Sequence, residues 1–466
     1  MKSSLKILCV FLGLVLGSSV MLCGCSGDSD SKVLTTAISQ IDMEANGHVE
    51  QLSDYDSPYT VCYKNKNDTY TLYIFASPIQ YKTEIDRYAV IDNTVVESNE
   101  NGFAFENKAN NIKTYFPKTL SEPFRVEMGA DFLEFAPNWN IDSFSEANQT
   151  VFTNMYGDKV SAVVYERKDM DLFFYPTKAG IKVEIVLKEK PDSNEFSFIV
   201  KSGAASYENK RNGYVLFKNG GRNESIIYQP LVQYTADKGQ KLDVIAQMNI
   251  NREEEDYLVT VAIDESIFDN AKTKYPVKLD PSFEMYLNKM PDSTVYSKHT
   301  VNNFLANYAV VGEHPAFGEG WHYVRYRLNF FFHANEEDIK SANYCVRNLY
   351  SSKDIATSLY RADAQWSSTG ILWSDRIDGT ELVSDTVKSK KEYGSYKINT
   401  YVQDCVGAFS WETESIGVLM KAEENSEGHQ IFATSDHSLY SPYILINLTT
   451  LPTSFEKKDN INENMN

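Results

Sequence analysis

Two stretches of strict alternation set the fold class. In residues 324–332, Val324, Tyr326, Leu328, Phe330 and Phe332 occupy every second position, with Arg325, Arg327 and Asn329 between them. In residues 181–188, Ile181, Val183, Ile185 and Leu187 alternate with Lys182, Glu184 and Lys188 in the same way. A period of two sends successive side chains to opposite faces of an extended chain, whereas a helical period of 3.6 would scatter both sets around a cylinder. Each stretch is therefore expected to be a strand with one face buried. Shorter pieces of the same kind recur at 70–75, 112–116, 124–127, 195–201, 415–420 and 442–446, bounded by Asn, Gly and Pro turn residues. The expected fold class is all-β.

A chain of 466 residues exceeds one ordinary core, and 30 Tyr and 25 Phe supply material for two. The character of the sequence changes at residues 275–283. There Pro276 and Pro281 bias Tyr275 and Asp280 toward extended backbone, and Val277 and Leu279 alternate with Lys278 and Asp280. The expected organisation is a leader at 1–24, a flexible tether at 25–57, an amino-terminal β-rich domain at 58–285, a second β domain at 286–450 and a disordered tail at 451–466. Within the first domain, 181–188 and 195–201 are joined by Pro191, Asp192, Ser193 and Asn194, and read as a hairpin or as successive meander strands.

The leader carries Lys2 and Lys6, an apolar run at 7–16 and then Leu22, Cys23, Gly24 and Cys25. The run is shorter than the roughly 20 residues that span a bilayer, and fits a secretory signal peptide. The formal charge is -19, and losing the two lysines with the leader makes it -21. So acidic a chain repels phosphate backbones and anionic headgroups, which argues against nucleic acid as a partner. Of the six cysteines, Cys62, Cys345 and Cys405 remain outside the leader and its exit. An odd trio makes no disulfide framework, and a Cys345–Cys405 bridge stays open.

Three resemblances follow from these residues. Leu22 to Cys25 resembles the bacterial lipobox, which implies acylation of Cys25 and a lipid anchor on the extracytoplasmic face of the cell membrane. Each buried methylene of such chains contributes about 0.8 kcal/mol. The segments 161–165, 171–176, 180–187 and 275–281 resemble the amino-terminal module of large wall-associated surface proteins of Gram-positive bacteria, which often carry YD (Rhs-type) repeats and a toxin tip. From Pro291 to Leu448 the order of segments resembles the DNRLRE domain. The matching pieces are Arg325, Arg327, Leu328 and Phe330; Ile339, Ser341 and Ala342; Trp366 and Trp373; residues 396–402; and Phe432 to Ser435 leading to Pro442 and Tyr443. That family is related to carbohydrate-binding modules and has alginate-binding members, so the resemblance implies a jelly-roll-like β-sandwich and a polysaccharide ligand.

Candidate ligand-binding residues are Trp321, Tyr323, Trp366 and Trp373, with Trp411, whose flat rings suit stacking on a sugar face, and Arg325 and Arg327, whose guanidinium groups suit a uronate. Core packing competes for each ring and a solvated face for each arginine. Lys298 and His299 are candidates to join the arginines after folding. Asp363, Asp375, Asp378 and Glu381 offer oxygens to Ca²⁺ without matching a known loop. No cofactor is otherwise expected. The chain lacks GxSxG, HExxH, P-loop and GxGxxG patterns, and its seven histidines have no ligand spacing. The expectation is a non-catalytic surface protein that binds a carbohydrate or cell-wall glycan. A scaffold binding a protein partner is the alternative, and a glycosidase using two carboxylates stays open.

Overall fold

The computed structural model describes Ile38 and residues 41–451, with short interruptions of which 210–213, 286–291, 300–307, 328–334, 363–365, 367–370, 389–392 and 408–414 are the longest. The leader, Cys25, the tail, Trp411, Asp363, Leu328, Phe330, Phe332 and the side chain of Arg327 lie outside the described residues. Strand accounts for 58% of the described residues and helix for 7%, in large antiparallel sheets, so the fold is all-β.

Residues between Asp92 and Met285 build an eight-stranded and an eleven-stranded sheet that face each other across one core. Phe124 of the first sheet stacks on Phe174 of the second at 3.9 Å between ring centroids, and Phe135 stacks on Phe283 at 4.0 Å. Each fully buried Phe contributes about 1.5–3 kcal/mol through lost apolar hydration. Strand Gly180–Leu187 supplies Ile181, Val183, Ile185 and Leu187 to this core, and strand Glu195–Ser202 supplies Phe196, Phe198 and Val200. The two do not form a hairpin. Gly180–Leu187 pairs with Met170–Pro176, while Glu195–Ser202 pairs with Asp131–Pro137 and Asp256–Ala262 in the opposite sheet. Both apolar faces are large enough to need a covering layer, and crossing the core lets each cover the other.

The Tyr275–Phe283 stretch is woven into the eleven-stranded sheet. Strands Lys274–Leu279 and Ser282–Met285 lie end to end along Gly180–Leu187, with Leu279 opposite Ile185 and Phe283 opposite Ile181. Alternation there predicts a polar face in water, yet Lys182 and Glu184 are buried. They are matched by charges from the neighbouring stretch: Lys182 Nζ lies 3.2 Å from Asp280 Oδ2, and Lys278 Nζ lies 2.7 Å from Glu184 Oε1. Glu184 also accepts the Met155 N–H at 2.7 Å. A buried ion needs both a counter-ion and filled lone pairs, and this pattern supplies them.

A thirteen-stranded sheet takes most of the remaining described strands and curls over its own core, and Gln80–Lys82 and Tyr88–Val90 form a separate two-stranded sheet. Its corner is the long strand Ile339–Ser351, which pairs with Tyr443–Leu448 at its beginning and with His429–Ala433 at its end. Strands Thr60–Asn65 and Tyr70–Phe75 complete this sheet. Tyr70 lies opposite Leu448 and Phe75 opposite Tyr443, so the start of the chain covers what would otherwise be an open edge at its end. The first strands expected in an amino-terminal domain from residue 58 therefore pair with the carboxy-terminal sheet. Order also begins earlier than the tether to residue 57 implies, at strand His48–Gln51. His48 stacks on Tyr63 at 4.7 Å and bonds Tyr73 Oη through Nε2 at 2.9 Å, which fixes that strand to the sheet.

Cys62, Cys345 and Cys405 are free thiols, so no Cys345–Cys405 bridge is present. Burial pushes the Cys62 and Cys345 thiols up to about 12, which keeps both protonated and unreactive. Among the described residues no helix is long and apolar enough to cross a membrane.

Candidate functional site

Strand Gly318–Arg327 carries two faces. Val324 and Tyr326 point into the curled core, while Trp321, Tyr323 and Arg325 point the other way. A period of two dictates this division, and the outward face is covered by Ala362, Trp366, Ile371, Trp373 and Ile377. There Trp366 packs on Tyr323 at 5.4 Å and Trp373 on Trp321 at 5.3 Å. The fold therefore gathers Trp321, Tyr323, Arg325, Trp366 and Trp373 at one place. They form a packed cluster, with Trp321 7% and Trp366 8% exposed and Trp373 half-buried.

Cations line the rings. The Arg325 guanidinium lies 4.8 Å from the Trp366 ring, and that of Arg376 lies 4.2 Å from Trp373 and 4.9 Å from Trp321. Lys421 Nζ sits 4.4 Å from both Trp321 and Tyr360. A positive group over an electron-rich ring face is stabilised by the ring quadrupole, by about 0.5–2 kcal/mol depending on desolvation. Sequence inspection misses Arg376 and Lys421. Arg376 had a local signal, three residues after Trp373. Lys421 depends on register: Met420 pairs with His322, which brings Lys421 opposite Trp321.

The polar groups of the cluster are unequally satisfied. Trp321 Nε1 donates to Glu319 Oε1 at 2.8 Å, and Tyr323 Oη donates to the Ile377 carbonyl at 2.7 Å. Trp366 Nε1 is buried and has no acceptor among the described residues. Arg325 is half-buried, and no carboxylate among the described residues pairs with it. Its desolvation lowers its pKa, as expected for a cation taken from water without an adjacent anion. Two donors, one of them charged, thus sit side by side against aromatic rings.

Other candidates are placed elsewhere. Asp292 lies opposite Val324 and Tyr296 opposite Gly320, so Lys298 and His299 fall beyond the Gly318 end of the strand, away from Arg325. Lys298 instead approaches Glu313 at 3.6 Å, and His299 packs on Phe317. Asp378 pairs with Lys421 at 3.1 Å and Glu381 with Arg361 at 3.3 Å, so each of these two acids has a cation beside it, while Asp363 lies outside the described residues. Among the described residues no three His, Cys, Asp or Glu side chains are grouped to hold a metal.

No family model matches the chain. Two solved structures, a secreted protein of Parabacteroides distasonis and the exo-β-1,3-galactanase of Phanerochaete chrysosporium, give TM-scores of 0.13 and 0.11 at 8% and 6% identity. The alignments cover 70% and 85% of this chain and 90% and 94% of theirs, and at these scores they carry no argument. Among curated proteins, the chain is similar at 20% identity over 306 residues to the tRNA3(Ser)-specific nuclease WapA of Bacillus spizizenii, the tRNA(Glu)-specific nuclease WapA of Bacillus subtilis subsp. natto and the tRNA nuclease WapA of Bacillus subtilis. The match takes in 60% of this chain but spans only 12% of each relative's length.

Proposed function

We propose that the protein is a non-catalytic recognition module of the cell surface, held to the extracytoplasmic face of the membrane through lipidated Cys25, and that the Trp321–Arg325 face takes an acidic glycan. The observation that carries this reading is the pair of donors, Arg325 and Trp366 Nε1, that have no acceptor among the described residues and are set among rings that can hold a sugar face. A uronate carboxylate answers the guanidinium and a ring or hydroxyl oxygen answers the indole N–H. The relatives are tRNA nucleases by name. A chain with a net charge of -19 repels an RNA backbone, and this favours glycan recognition over tRNA cleavage here.

Calorimetric titration with an oligouronate and with its neutral counterpart tests the site. The wild-type protein is expected to bind the uronate preferentially. A hydrogen bond to a charged group is worth about 1.5–3 kcal/mol, so Arg325→Ala should weaken binding by about tenfold or more. Trp373→Ala should also weaken it, through loss of the half-buried ring. Equal affinity of Arg325→Ala and wild type, or no binding of either glycan, rejects the site. The anchor is tested separately: Cys25→Ala should move the protein from the membrane fraction to the soluble one, and unchanged fractionation rejects it.

A further inference from the structure

Strand Gln247–Glu253 ends the eight-stranded sheet, and Asp256–Ala262 is its one strand partner among the described residues. The pairing runs without a bulge from Gln247–Ala262 to Glu253–Asp256, and the strand holds neither Pro nor Lys. Bulges, prolines and lysines are devices by which natural sheets close an edge to further pairing, and this edge has none of the three. Contacts near its ends show which residues turn their backbone outward. The Ala246 N–H donates to the Pro230 carbonyl at 2.9 Å, and the Ile250 carbonyl accepts from Tyr207 Oη at 3.4 Å. Alternate residues of an antiparallel strand face the same side, so Met248 shares that outward direction. Between those two contacts the Met248 N–H and carbonyl and the Ile250 N–H have no hydrogen-bond partner among the described residues.

A groove of about 560 Å³ lies beside this stretch, lined by residues 248–251 together with Asn209 and Tyr214 near the edge of the facing sheet and with Glu195. The side-chain amides of Asn209, Asn249 and Asn251 make no hydrogen bond among the described residues, so each offers a donor and an acceptor. Acids stand at both ends. Glu195, Ala262 and Gln247 share one row of the sheet, and the Glu254–Glu255 turn closes the other end. Glu195, Glu253, Glu254 and Glu255 are exposed, and no cation among the described residues pairs with them. Arg252, the cation of this strand, turns its guanidinium to the Ala205 carbonyl at 3.2 Å and to the Tyr257 ring.

We propose that this edge is a docking site for an extended basic segment of a partner protein, which adds to the sheet as a further strand. Its main chain answers the Met248 and Ile250 groups, the asparagine amides bond its remaining peptide groups, and its Lys or Arg side chains meet Glu195 and the Glu253–Glu255 turn. A glycan carries no alternating main-chain donors and acceptors, and an anionic polymer meets like charge at both ends. The site is separate from the Trp321–Arg325 face and does not depend on it.

Residue-resolved hydrogen–deuterium exchange of the full-length protein, with and without an octapeptide alternating Lys and Thr, tests the site. Without peptide, the Met248 and Ile250 amides should exchange quickly and those of Asn249 and Asn251 slowly. With peptide, exchange at Met248 and Ile250 should slow by about tenfold or more, and the fully N-methylated peptide or one alternating Glu and Thr should leave it unchanged. Met248→Pro removes an outward N–H without removing a ladder bond, which edge strands tolerate, and should abolish the response. Glu195→Lys combined with Glu254→Lys should weaken peptide binding by about tenfold or more. Slow exchange at Met248 in the free protein, protection confined to another part of the molecule, equal responses to the Lys and Glu peptides, or no protection at millimolar Lys peptide each overturn the proposal. The comparison of the peptides on the wild-type protein decides even where Met248→Pro fails to fold.

Discussion

Lys278→Met is expected to lower the unfolding free energy by about 3–5 kcal/mol, the usual cost of leaving one member of a buried ion pair without its partner. Glu184 is fully buried, and its carboxylate is held by Lys278 Nζ at 2.7 Å and by the Met155 N–H. Burial already raises the Glu184 pKa above its ordinary value, with Lys278 the largest opposing influence. Removing the lysine raises it further. A carboxyl whose folded pKa lies above its unfolded one stabilises the fold at pH below the unfolded value, and that contribution is lost as pH rises through the folded value. The deficit of Lys278→Met should therefore be smallest in acid and grow toward alkaline pH, as read from urea midpoints across that range. Glu184→Gln in the Lys278→Met background should recover most of the loss. A variant as stable as wild type at alkaline pH would show that the pair is not confined as described.

Gly180→Val is expected to prevent normal folding or to cost at least about 3 kcal/mol, the upper end of overpacking penalties. Gly180 pairs with Glu284, and a Cβ at this position would stand 2.3 Å from the Phe283 carbonyl oxygen and 2.7 Å from the Glu284 Cα. Both obstacles are backbone, so no rotamer change relieves them, and the strand junction that carries Phe283 into the core must move. Gly203→Ala is the control, because there the nearest atom is a Glu224 carboxylate oxygen at 3.9 Å. Soluble yield and urea midpoint should drop sharply for the first substitution and little for the second. Equal behaviour of the two would refute the close approach.

Much of the candidate site was legible one strand at a time. The alternation in residues 324–332 separates Val324 and Tyr326 from Arg325, and the structure keeps that separation, with Trp321 and Tyr323 on the arginine side. Trp366 and Trp373 were identifiable as rings but not as neighbours of Tyr323 and Trp321, since a loop's landing place depends on what the sheet leaves uncovered. Lys298 and His299 illustrate the opposite error: nearness in sequence to a strand partner says nothing about which end of the strand they reach until the register is known.

The sequence by itself determined that the chain would be built of strands, because a two-residue period is a property of the local backbone and needs no partner to be read. It also determined which apolar residues of a strand such as Gly180–Leu187 would turn inward. Only the tertiary structure decided which strands pair. Pairing of Tyr70–Phe75 with Tyr443–Leu448 across the length of the chain, and the separation of Gly180–Leu187 from Glu195–Ser202 into opposite sheets, are set by edges and faces that exist only once the other strands are in place. The same holds for the buried charges. Lys182, Glu184, Lys278 and Asp280 read as a solvated face one strand at a time, and become ion pairs, with Lys182, Glu184 and Asp280 buried, because neighbouring strands bring opposite charges within reach.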